Sequence, residues 1–80
     1  MRFRKKPVVI EALLLTREKE QAEKVRAWCG GQACFEGLEI ITLEGIHLAR
    51  FGNWVIRGVK GEFYSCRPDI FEETYEAVES

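Results

Sequence analysis

The run LEIITLEGIHLARFGNWVIRGVKGEFYSC, residues 38–66, decides the fold. It divides into short stretches rich in β-branched and aromatic residues separated by glycine-bearing turns, the pattern of antiparallel strands joined by hairpins. Leu38 to Leu43 reads as one strand and Ile46 to Arg50 as the next, with Glu44 and Gly45 turning between them. Phe51, Gly52 and Asn53 make a second turn into the strand Trp54 to Arg57. Gly58, Val59, Lys60 and Gly61 then form a hairpin connection that feeds Glu62 to Cys66. Glycine relieves the backbone where the chain must reverse. Ala33 to Phe35 is a weaker strand just upstream. No repeated strand–helix units occur, so the expectation is a curled antiparallel sheet or, where its ends meet, a partly open or closed small barrel.

Working outward, Pro7 to Thr16 reads as a further strand, with Val8, Val9, Ile10, Leu13, Leu14 and Leu15 favouring extended backbone. Its nearly continuous apolar character predicts a central strand covered on both faces for part of its length. Thr16 is placed to cap a helix over Arg17 to Cys29, where Ala22, Val25, Trp28 and Cys29 recur at helical spacing and form the face laid on the sheet. Lys19/Glu23 and Glu20/Lys24 are spaced to pair on its wetter side, and Gly30 and Gly31 end it. Beyond residue 66, Pro68 suits the first turn of a short C-terminal helix, with Asp69, Glu72 and Glu73 near its positive end and Ile70 and Phe71 as anchors. Tyr75 shares a face with Phe71, and Tyr75 to Val78 is read as a returning edge strand. The fold class is therefore α+β, with one main helix and one short helix, and residues 1–80 are expected to form a single compact domain.

Composition agrees with a folded chain: 46% of residues are hydrophobic and 31% charged. A chain of 80 residues supports one core, and a homodimer is an available way to extend it. Twelve Lys and Arg against 13 Asp and Glu leave a formal net charge of -1, yet Arg2, Arg4, Lys5 and Lys6 crowd one end while Asp69, Glu72, Glu73, Glu76 and Glu79 crowd the other. Such ends can attract across a shared sheet or simply be solvated. Cys29, Cys34 and Cys66 cannot all pair within one chain, no signal-peptide pattern begins it, and no apolar stretch approaches a membrane span. A reducing, cytoplasmic setting with free thiols and no membrane partner is the expectation.

The residues from Thr42 onward carry a resemblance. Thr42-Leu43-Glu44-Gly45, Phe51-Gly52-Asn53-Trp54, Gly58-Val59-Lys60-Gly61-Glu62-Phe63 and Pro68-Asp69-Ile70-Phe71-Glu72-Glu73-Thr74-Tyr75 resemble, in order, elements of small proteins of tailed bacteriophages and prophages. The opening Phe3-Arg4-Lys5-Lys6-Pro7-Val8-Val9-Ile10-Glu11-Ala12 is similar to their beginning. Phe51 and Asn53 stand where that pattern has proline and aspartate; asparagine still supports the turn but supplies no carboxylate. The resemblance implies a phage accessory protein in a bacterial host cytoplasm, with a host or phage protein as partner. It carries no catalytic role.

Tests for chemistry give little. Cys66 and His47 are the one thiol–imidazole couple to consider, and they fall on different strands without a third group to orient the ring. Cys29, Cys34, Cys66 and His47 are four potential zinc ligands lacking the paired knuckles of a structural site. Glu72 and Glu73 diverge around a helix and make no acid–base pair. No enzyme activity, metal or cofactor is expected. Gly58-Val59-Lys60-Gly61 lacks the flanking helices of a nucleic-acid-clamping loop. Trp54, Phe63 and Tyr64 alternate near Arg50, Arg57, Lys60 and Arg67, which keeps a nucleic-acid-binding accessory role as the alternative reading and a virion assembly component as another.

Protein–protein binding is the leading expectation. The candidate surface combines Asn53 and Trp54 of the second turn with Arg57, Lys60 and Glu62 of the hairpin. Tyr64, Arg67 and Asp69 extend it to the start of the terminal helix. Basic groups would supply directional contacts, and exposed members of Trp28, Trp54, Phe63 and Tyr64 apolar area.

Overall fold

The computed structural model describes residues 9–42 and 44–76, so Arg2 to Lys6, Leu43 and the last residues of the expected returning strand lie outside the described residues. The elements are β1 (Glu11–Leu14), α1 (Lys19–Cys29), β2 (Gln32–Cys34), β3 (Gly37–Thr42), β4 (Gly45–Arg50), β5 (Trp54–Arg57), β6 (Phe63–Cys66) and α2 (Pro68–Thr74). They make two three-stranded antiparallel sheets, ordered β1-β5-β6 and β2-β3-β4. The α+β class is as expected. The barrel is not: β6 lies across β3 and β4, but the two sheets do not join into a closed ladder, and a Ser65 hydroxyl donating to the Leu48 carbonyl at 3.4 Å ties them instead.

The first strand also departs from expectation. β1 is an edge strand and β5 takes the central place. Its apolar run does not mark a central position: Leu13 packs on the main core, and Leu15, just past the strand's end, is fully buried there. Backbone bonds from Leu15 to the Asn53 carbonyl (2.9 Å) and from Gly52 to the Leu15 carbonyl (2.7 Å) clamp this end to the turn before β5. The Gln21 side chain, donating to the Leu14 carbonyl at 2.9 Å, fixes α1 to the same strand.

α1 starts two residues later than the Thr16 cap implied. The Thr16 hydroxyl accepts from the Glu18 amide at 3.3 Å, a local turn, and Glu18 occupies the N-cap position without a side-chain cap bond. On the helix surface the ion pair formed is Glu23 with Arg26, through guanidinium nitrogens at 2.8 and 2.5 Å. Three-residue spacing serves as well as four for this purpose. The apolar stripe is as read: Val25 is fully buried, and Ala22, Trp28 and Cys29 pack beside it. Gly30, at φ 68°, ends the helix in the left-handed conformation.

Alternation assigns each strand two faces. In the β1-β5-β6 sheet, Leu13, Val55 and Phe63 face the main core, where Trp28 meets Phe63 edge-to-face at 5.1 Å. Ala12, Ile56 and Tyr64 face the other way, with Leu14, Trp54 and Cys66. Ile56 is fully buried without belonging to the main core cluster, and on this second face α2 meets the sheet at Trp54: Phe71 stacks on Trp54 at 4.3 Å, and Tyr75 lies tilted against Phe71 at 5.0 Å. Pro68 sits in the first turn of α2 as expected, whereas Tyr75 and Glu76 are irregular rather than the start of a strand.

The β2-β3-β4 sheet is built differently. Leu38, Ile40 and Ala49 enter the main core with Leu15, Val25 and Val55. Gly37 is the point of closest approach, since a Cβ there would run into the Ala49 carbonyl and its φ of 152° disfavours any side chain. Glu39, Ile41, Ile46 and Leu48 fall on the opposite, outer face.

Candidate binding surface

The hairpin between β5 and β6 uses its polar groups internally. The Gly58 amide donates to the Glu62 carbonyl at 2.7 Å, the Gly61 amide to the Gly58 carbonyl at 3.0 Å, and the Lys60 amide to the Glu62 carboxylate at 3.0 Å. That carboxylate lies over Gly58, where a Cβ would displace it. Glu62 is thus a turn-fixing acceptor.

The other expected surface residues scatter. The Asn53 backbone bonds to Leu15 and Arg50. Trp54 lies beneath Phe71. Arg57 faces the side of β5 opposite Trp54 and Ile56, with Glu11 3.9 Å away. Arg67 and Asp69 pair with each other at 3.0 Å at the start of α2. The Tyr64 phenol is pushed up to about 12, first by its hydrogen bond with Tyr75, then by burial and by neighbouring negative charge including Glu62. Glu62 and Tyr64 come together in one groove, with Ile41, Thr42, Glu44, His47, Gly61 and Phe63.

The thiol–imidazole couple is not assembled. His47 lines that groove, while Cys66 belongs to the face of β6 that α2 covers and donates to the Arg67 carbonyl at 3.6 Å. Burial, and then the Asp69 carboxylate, push the Cys66 thiol up, away from the nucleophilic thiolate. All three cysteines are free and half-buried, and among the described residues no group of three or more His, Cys, Asp or Glu side chains is placed to hold a metal ion. Nor, among the described residues, is any helix long and apolar enough to cross a membrane.

The outer face of β2-β3-β4 was missed. Phe35 at the β2–β3 turn is 98% exposed, Ile41 is 81% and Ile46 is 66% exposed. Leu48 and Cys34 extend this area, and Glu36 and Glu39 share a shallow groove with them and with Phe35 and Ile46. The signal was present in the strand register. Gly45 opposite Thr42 sets Ile41 opposite Ile46, and the same register sets Ile40 opposite His47 and Leu38 opposite Ala49. The stronger apolar pair of β3, Leu38 and Ile40, therefore shares a face with Ala49, while the stronger pair of β4, Ile46 and Leu48, is left on the outside. A sheet with apolar residues on both faces buries only one of them here.

No family model matches the chain, and no curated protein or solved structure matches it. The bacteriophage and prophage attribution is corrected accordingly: none of these comparisons ties the chain to phage proteins, and the small α+β fold is the part of that description that stands.

Proposed function

We propose that this chain is a binding module without catalytic chemistry, which docks another protein on the outer face of the β2-β3-β4 sheet. The observation that carries the reading is the exposure of Phe35, Ile41 and Ile46 on one side of one sheet. Single exposed apolar residues are ordinary, but a contiguous group on a regular surface is the mark of an interaction site. An aromatic ring with aliphatic neighbours provides the type of desolvated centre on which protein interfaces depend. The hairpin residues serve this reading as scaffold, since Glu62 closes the turn and Trp54 anchors α2.

The test is affinity capture from cell lysate with three immobilised forms: the unaltered chain, a Phe35→Ser/Ile46→Ser variant and an Arg57→Ala/Lys60→Ala variant. Both substituted pairs are at exposed positions, so all three should retain the same far-UV circular dichroism. The proposal expects a protein retained by the unaltered and hairpin variants after nuclease treatment and lost from the face variant. Equal retention by the face variant, or recovery abolished by nuclease, would overturn it.

A further inference from the structure

We infer that the partner segment docked on the outer face of β2-β3-β4 presents a lysine or arginine flanked by apolar side chains, received by Glu39 among Phe35, Ile46 and Leu48. This inference rests on the reading of that face as a docking surface. Its starting point is a difference between two acids in one groove. Glu36 is neutralised by Arg50 at 2.6 Å, whereas Glu39 has no ion-pair or side-chain hydrogen-bond partner among the described residues. Glu39 lies on the central strand, half-buried, directly across from Leu48 on β4 and Gln32 on β2.

An apolar partner laid over this face must take the Glu39 carboxylate out of water. Removing an ionised carboxylate from water without a compensating partner is strongly unfavourable, so a wholly apolar occupant loses much of what it gains from Phe35 and Ile46. An acidic occupant adds repulsion to that loss. A second copy of the same face brings a second Glu39 into the interface along with the first. A cationic side chain removes the difficulty by making a charge-assisted hydrogen bond at the point where the face is negative. Apolar neighbours on either side of that cation then meet Phe35, Ile46 and Leu48. Extended backbone suits the spacing, because its alternate side chains point to one surface and repeat at the interval of the sheet beneath.

The experiment uses the full chain and three fluorescein-labelled ten-residue peptides, identical in their valine and leucine positions and carrying lysine, glutamine or glutamate at the centre. Fluorescence anisotropy is measured for the unaltered protein, Glu39→Gln and Ile46→Ser, with sedimentation of the protein alone in parallel. The expected result is that the lysine peptide binds at least about tenfold tighter than the glutamate peptide. Glu39→Gln should erase that preference while leaving the glutamine peptide unchanged, and Ile46→Ser should weaken all three. Equal binding of the three peptides, absence of binding, or a charge preference that survives Glu39→Gln would overturn the inference. So would self-association abolished by Ile46→Ser, which would assign the face to a second copy. If lysate capture depends on Phe35 and Ile46 but the peptides show no charge preference, the docking face stands and the basic occupant falls.

Discussion

The two sheets have the same number of strands and opposite treatment of their faces. β1-β5-β6 has buried residues on both sides, facing the main core on one and sharing the other with the Trp54–Phe71 stack, and adjacent Val55 and Ile56 are both fully buried although they point in opposite directions. β2-β3-β4 is covered on one side only, so that adjacent Ile40 and Ile41 are 1% and 81% exposed. The lesson is that burial in this chain is decided by which faces find a covering layer. Hydrophobicity alone does not separate two neighbouring isoleucines.

The largest effect expected from this contrast is in that isoleucine pair. Ile40→Ala removes buried methyl groups and leaves a cavity, at a cost of about 2–5 kcal/mol. Ile41→Ala changes only solvated surface and should stay within about 0.5 kcal/mol of the unaltered protein. Urea denaturation reads both. A comparable fall in midpoint for the two would mean that the outer face is already covered in solution, and the contrast would fail.

Next comes the layer that makes the first sheet two-sided. Phe71→Ala strips the ring stacked on Trp54 and loosens α2 where it meets β5; because Phe71 is only half-buried, a loss of about 1–3 kcal/mol is expected. In a Trp28→Phe background the remaining Trp54 emission should shift to the red as its ring meets water. Emission unchanged by loss of Phe71 would show that α2 does not shelter this face.

A smaller effect separates scaffold from binding residue at the hairpin. Glu62→Ala removes the acceptor of the Lys60 amide and should lower stability by about 0.5–1.5 kcal/mol while leaving capture on the outer sheet face intact. Loss of capture without loss of stability would restore Glu62 to the binding surface and move the site to the hairpin.

How much of this was legible follows from the range of each interaction. The strands from Gly37 to Cys66, the α1 stripe and Pro68 at the start of α2 are set by local pattern and turn chemistry, and their reading differs from the structure by a residue or two. The place of β1 at an edge depends on pairing with β5, about forty residues away, and a near-continuous apolar run is equally compatible with centre or edge. The contacts made by the candidate surface residues were hidden for a related reason. Trp54, Glu62, Arg67 and Asp69 have the residue types of a binding surface, but Phe71, Gly58 and one another occupy them, contacts that composition does not reveal. The bare outer face could have been found by carrying the β3–β4 register through the turn, since Ile41 opposite Ile46 follows from Gly45 opposite Thr42.

The covered sheet should also reveal itself at alkaline pH through Tyr64, which stands on the α2 side with Ile56. Its phenol is pushed from 10.0 to about 12, so the folded state holds this proton more tightly than the unfolded chain does. The associated stability is fully present below about pH 10 and is lost as pH rises toward about 12, because the unfolded phenol ionises first. The chain has two tyrosines, which makes the phenolate absorbance readable residue by residue. Comparison of the unaltered protein with Tyr64→Phe, with circular dichroism to follow folding, should show that the ionisation step near pH 12 disappears when Tyr64, and with it the Tyr64–Tyr75 pair, is removed. Phe71→Ala should move that step back toward 10, since it loosens α2 and the Tyr75 contact together. A step that stays near 12 in Phe71→Ala would mean that β6 itself shelters the phenol, and the two-sided covering of this sheet would owe less to α2 than the stacking on Trp54 indicates.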